Sequence, residues 1–148
     1  MFVIEKTVEI NAPAAVVWEV ITDLARYPEW NPFCLKCEST LKPGDPITMT
    51  VKLMAKPQKQ VEVMLEYVEG KRFAYCMKPV PGLLSSFRSH DVEALGPERT
   101  RYRSTFHLKQ WFRVVVLALL KPKLEAGFAG MTNAIQQRAE TLWAQRKP

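Results

Sequence analysis

The chain has 148 residues, of which 47% are hydrophobic and 24% charged. That is the length of one domain with an ordinary globular composition, which excludes a disordered chain and a large multi-domain assembly. The formal net charge is +6, which raises nucleic acid, an anionic membrane or an acidic ligand as partners and is also compatible with plain solubility. It is unevenly placed: residues 1–70 carry a net −3 and residues 71–148 a net +9. The basic half contains no Lys/Arg run and is therefore not a basic tail.

Phe2–Ile10 alternates, with Phe2, Ile4, Val8 and Ile10 on one side and Lys6 breaking it, as a strand with one solvated face does. Asn11-Ala12-Pro13 opens a helix, because proline fits a first turn where its missing N–H costs nothing. Val17, Val20, Ile21 and Leu24 recur at helical spacing, so Pro13–Leu24 is a short amphipathic helix. Pro28 and Pro32 then limit Tyr27–Pro32 to a turn or a single helical turn. Strand-like segments follow at Phe33–Leu41, Ile47–Ala55, Gln58–Val68, Arg72–Lys78, Ser85–Leu95 and Arg99–Leu108. Turns at Pro43–Pro46, Lys56-Pro57, Glu69–Lys71, Pro79–Gly82 and Gly96–Glu98 separate them. From Lys123 to Arg146, Leu124, Phe128, Met131, Ile135, Ala139 and Leu142 make one long helical stripe, with Pro122 at its first turn. The order is strand, short helix, antiparallel meander, long helix, within a single domain over 1–148.

Met1 is followed by Phe-Val-Ile-Glu-Lys, an apolar stretch too short and too charged for a signal peptide. A reducing, cytoplasmic setting with free thiols is therefore expected for Cys34, Cys37 and Cys76. In a regular strand Cys34 and Cys37 point to opposite faces, and no second CxxC or HxxxH accompanies them. No metal site and no redox centre is expected.

Ile10–Pro13, Val17-Trp18 and Asp23–Pro32, followed by Gly96–Tyr102 leading into the last strand and a helix of the Leu124–Trp143 type, resemble the SRPBCC superfamily. This is the START-like, polyketide-cyclase/dehydrase-type group that shares the birch-pollen-allergen fold. The resemblance spans essentially the whole chain. It implies an α+β helix-grip fold, a curved antiparallel sheet wrapped around a long C-terminal helix with two short helices near the N-terminus. It also implies a cavity between sheet and helix, no universal catalytic motif, and no cofactor. Members bind lipids, sterols, polyketides, hormones or quinones, and some are cyclases.

In such a fold the inward alternation lines the cavity. The candidates are Phe33, Leu35, Met49, Val51, Val63, Leu65, Phe73, Tyr75, Met77, Tyr102, Phe106, Phe128, Met131 and Ile135, mostly apolar and aromatic, with Ser104 on the same face as Tyr102. The opposing reading of each is plain core. Arg88 and His90 share a face with Val92 and Ala94, whereas Phe87 and Leu95 have the other parity. If Arg88 and His90 point inward, they and Tyr102 are the catalytic candidates, for acid–base work or for anchoring an anion. Asp91 lies on the opposite face from His90, so no His–Asp dyad is expected.

Trp111–Lys123 is more apolar than a connection needs and is framed by Lys109, Arg113, Lys121 and Lys123. It reads as a cavity lid, a membrane-surface element, a homodimer contact or, as the favoured expectation, a helix buried against the sheet edge. The leading function is binding of a small hydrophobic ligand. A polyketide cyclase or dehydratase and a peripheral membrane lipid or quinone carrier are the alternatives. Nucleic acid is not expected as a partner, since Arg99, Arg101 and Arg103 lack interleaved aromatics.

Overall fold

The structure, a computed structural model, describes all of residues 1–148. Seven antiparallel strands form one curled sheet: β1 (Phe2–Ile10), β2 (Cys34–Ser39), β3 (Pro46–Val51), β4 (Gln58–Val68), β5 (Arg72–Met77), β6 (Ser85–Gly96) and β7 (Arg99–Lys109). Their spatial order is β1-β7-β6-β5-β4-β3-β2. All neighbours but one are consecutive hairpin partners; the first strand closes onto the last. Between β1 and β2 lie α1 (Ala14–Thr22), a 3-10 turn at Leu24–Arg26 and the single-turn α2 (Tyr27–Trp30). The chain ends in α3 (Arg113–Arg146), which lies in the grip of the sheet. This is the expected α+β helix-grip architecture.

The registers define rows across the concave face. Tyr75, Arg88, Phe106 and Ile4 are successive cross-strand partners; so are Phe73, His90, Ser104 and Lys6. This settles β6: Arg88, His90 and Val92 face inward, and Leu95 is exposed. One end of the concavity is filled by α1. Val17 and Ile21 are fully buried, and Trp18 packs against Phe73 and Tyr67 at ring separations of 6.0 and 5.7 Å. The Tyr27 hydroxyl donates to the Ile21 carbonyl at 2.6 Å, and Asn31 Oδ1 accepts from the Phe33 and Cys34 amides at 3.0 and 2.9 Å. The Trp18–Asn31 motif therefore fixes turns and plugs that end.

Three expectations need correction. A bulge at Leu65 shifts the register between Met64 and Glu66 and reverses the alternation in the first half of β4. Met64, Glu62 and Gln60 point inward, while Val61 and Leu65 are exposed and Val63 sits on the outer face opposite Cys76. A second bulge at Leu35 lies between Cys34 and Lys36. It brings Cys34 and Cys37 to the same face, both buried, so the opposite-face reading fails. The neighbouring Cys34 side chain and, after it, burial hold the Cys37 thiol well above the ordinary range, while the Cys34 thiol donates to the Lys36 carbonyl at 3.4 Å. The terminal helix is also longer than 123–146. It begins at Arg113 and runs through Pro122, so most of the Trp111–Lys123 segment is its first stretch and is not a separate helix buried at the sheet edge.

Helix α3 meets Phe33, the residue just before β2, at Gly127. A Cβ there would lie 2.3 Å from Phe33 Cε1, whereas one at Gly130 would meet only Pro32 Cγ at 3.8 Å. Gly127→Ala is expected to lower stability by ~1–3 kcal/mol through overpacking. Gly130→Ala is expected to raise it by ~1 kcal/mol through helix propensity. Thermal unfolding of the two variants checks this opposite sign.

Candidate ligand cavity

At the end of the concavity away from α1, sheet and helix enclose a cavity of about 480 Å³, within the range that holds small organic ligands. Its wall is mostly apolar. Phe33, Met49, Val51, Tyr75, Met77, Phe106, Phe128 and Met131 line it as the alternation predicts, together with Arg88. Phe33 and Phe106 flank Phe128 with ring separations of 5.0 and 4.8 Å.

Phe73, Tyr102, Ser104 and Ile135 do not line it. They lie fully buried in the core beneath it, in the half that α1 plugs. Val63 does not line it either, because of the β4 bulge. His90 is another core residue: Nδ1 lies 2.6 Å from the Tyr102 hydroxyl, and the ring stacks on Phe73 at 4.6 Å. Burial, reinforced by the Arg88 charge, holds His90 well below the usual imidazole range. His90 and Tyr102 thus form a neutral, closed pair with no access to the cavity. Asp91 faces outward and pairs with Arg72 at 2.8 Å.

Arg88 is different. It is 4% exposed, reaches the cavity wall and has no carboxylate within ion-pair distance. One terminal nitrogen donates to the hydroxyl of Ser104 and, at 3.3 and 3.4 Å, to the carbonyls of Ser89 and Thr105. The other meets only the Met131 sulfur at 3.7 Å, and the guanidinium lies 4.7 Å from the centre of the Phe128 ring. A buried cation held by neutral groups alone is costly.

The second polar group was hidden by the β4 bulge. Glu62 lines the same cavity, between Ile47 and Met77 in its row. Burial pushes its carboxyl up to about 7, and the Arg88 charge opposes the rise. Burial likewise raises the Tyr75 hydroxyl well above the phenol range, again against Arg88. Other wall residues outside the expected set include Gln60, Leu84, Ser86, Leu108, Val116, Leu120 and Leu124. Ser86 and Leu108 were legible by extending the parity of Arg88 and Phe106. Leu124 was legible on the helix stripe.

Residues 1–140 match the family model described as polyketide cyclase / dehydrase and lipid transport. The chain belongs to that family. Solved structures of similar fold agree. The ZhuI aromatase/cyclase from Streptomyces sp. R1128 superposes with a TM-score of 0.76 at 20% identity, over 94% of this chain and 93% of that one. A START superfamily protein from Mycobacterium smegmatis gives 0.70 at 15% identity, over 98% and 99%. Norcoclaurine synthase from Thalictrum flavum, in complex with dopamine and hydroxybenzaldehyde, gives 0.70 at 18% identity, over 99% and 88%. At these identities the likeness establishes the SRPBCC fold. No curated protein matches the chain. No helix is long and apolar enough to cross a membrane.

The raised Glu62 carboxyl makes stability depend on pH. In the unfolded chain it titrates near 4.5, in the fold near 7. The stability that a raised carboxyl contributes is present below the unfolded value and is lost as pH rises through the folded one. Glu62→Gln is therefore expected to match the wild type near pH 4.5 and exceed it by ~2–3 kcal/mol above pH 7. Denaturant unfolding across that range measures the gap; a gap independent of pH contradicts the assignment.

Proposed function

We propose that the whole chain, residues 1–148, is one ligand-binding domain that takes a small, largely apolar molecule carrying an oxygen acceptor. The observation that supports this most strongly is Arg88, a buried cation in an apolar cavity wall without a carboxylate partner. An apolar body supplies burial, and a carbonyl, enolate or carboxylate oxygen completes the guanidinium. The buried, free thiols of Cys34 and Cys37 suit a reducing, cytoplasmic setting.

A second reading, a cyclase or dehydratase on a polyketide-like substrate, is favoured by Glu62. A carboxyl titrating near neutral pH suits general acid–base work. With a substrate carbonyl oxygen accepting from Arg88, the Glu62 carboxylate would remove a proton from the adjacent carbon and leave an enolate. That carbon would attack a second carbonyl of the same molecule, forming a C–C bond. Glu62 would return its proton to the new alkoxide; it would then take the second proton from the same α-carbon as the C–O bond breaks, and give that proton to the departing hydroxide, so that water leaves and a C=C bond forms. Aromatase/cyclases and norcoclaurine synthase among the fold neighbours are compatible with such chemistry on this scaffold. A membrane-visiting carrier is a third reading, resting on the surface of α3 and not on the cavity.

The first reading is checked with Arg88→Met. An anilinonaphthalene sulfonate probe is expected to bind the variant roughly tenfold to a hundredfold more weakly, the worth of one charge-assisted hydrogen bond. Uncharged N-phenyl-1-naphthylamine is expected to bind it as before. Thermal stability is expected to hold or rise, because an unpaired buried charge has been replaced by a thioether chain. Equal loss of both probes, or a destabilised variant with unchanged probe binding, would make Arg88 a structural residue.

A further inference from the structure

The first three turns of α3 are apolar on two sides. Val116, Leu120 and Leu124 face the cavity, and Leu117 packs on the core. On the outside, Trp111, Val114, Val115, Ala118, Leu119 and Pro122 recur at i, i+3, i+4, i+7, i+8 and i+11, one continuous stripe, and all are exposed. Trp111, Val114 and Leu119 are 62%, 63% and 72% exposed. A helix that is hydrophobic all round belongs in a core or a membrane. The Val80–Leu84 loop extends the patch: the Phe112 amide donates to the Leu83 carbonyl at 3.0 Å, and Val80 is exposed.

The charge around this patch has one sign. The strand ends at the cavity mouth are the C-termini of β3, β5 and β7 and the N-termini of β4 and β6. These ends, with the start of α3, carry Lys52, Lys56, Lys59, Lys78, Lys109, Arg113, Lys121 and Lys123. None of these eight forms an ion pair. Residues 46–61, 70–90 and 99–124 contain no Asp or Glu.

We propose that this end of the molecule docks on an anionic lipid surface, with the outer stripe of α3 and the Val80 loop in the acyl–headgroup boundary and the eight cations among the headgroups. The cavity then opens toward the membrane, whichever molecule fills it. Charge complementarity selects lipid over a second copy of the chain. A two-fold contact through the stripe would set one basic rim against another, while an anionic surface satisfies both the apolar stripe and the rim.

Flotation of the full-length protein with phosphatidylcholine vesicles, with and without phosphatidylglycerol, tests this. Binding is expected only with phosphatidylglycerol and is expected to fall as salt rises. Lys121→Glu with Lys123→Glu is expected to weaken it by at least about fivefold per charge reversed. Leu119→Asp is expected to abolish it while N-phenyl-1-naphthylamine still fills the cavity, which shows that the variant is folded. Brominated phosphatidylglycerol is expected to quench wild-type fluorescence and to quench Trp111→Phe less, a readout that needs no folding control on Leu119. Absence of flotation, equal binding to neutral vesicles, or a wild-type dimer in ultracentrifugation that Leu119→Asp dissociates would overturn the proposal.

Discussion

A curled sheet of seven strands presents more concave surface than one helix can cover. Here the excess is met unequally. The N-terminal helices fill one end with Trp18, Ile21 and Tyr27. In the middle α3 closes down at Gly127, where Phe33 occupies the space a side chain would need. The remaining end, beside the first turns of α3, stays hollow. The core, the cavity and the apolar surface all follow from where α1 stops.

Two charged side chains sit in that hollow. Arg88 is held by hydroxyl, carbonyl, sulfur and an aromatic face, and by no carboxylate. Glu62 lies in the same wall, with burial and Arg88 pulling its proton affinity in opposite directions. A core built only for stability would do better with apolar groups of the same volume at both positions. Their presence in that wall is what supports the proposed binding role over a packing defect. The exterior has its own polarity: eight cations gather at the mouth without ion-pair partners, in stretches of chain that hold no Asp or Glu.

The fold was legible because its strands alternate and its last helix keeps one stripe. The SRPBCC motif at Trp18–Asn31 added the connection between first and second strands. Most of the aromatic lining came from parity alone, whereas conflicting parity in β6 left the direction of Arg88 open until the register placed it. Parity fails at a bulge, which leaves no mark in residue type. Leu65 inverted the first half of β4 and hid Glu62, and Leu35 brought Cys34 and Cys37 to one face. Parity is also silent on depth. Tyr102, Ser104, Phe73 and Ile135 face inward as expected, but under α1 inward means core. Proline misled at position 122, where the helix continues through it and carries the Trp111 segment with it.

On the proposed function, the hollow end holds an apolar molecule. Native mass spectrometry of the wild-type protein, purified from its own host without detergent, addresses this most directly. The expected result is a mass increment that collisional activation releases as a small molecule with an apolar body and at least one oxygen. Fully ligand-free protein that also takes up no hydrophobic probe would contradict it.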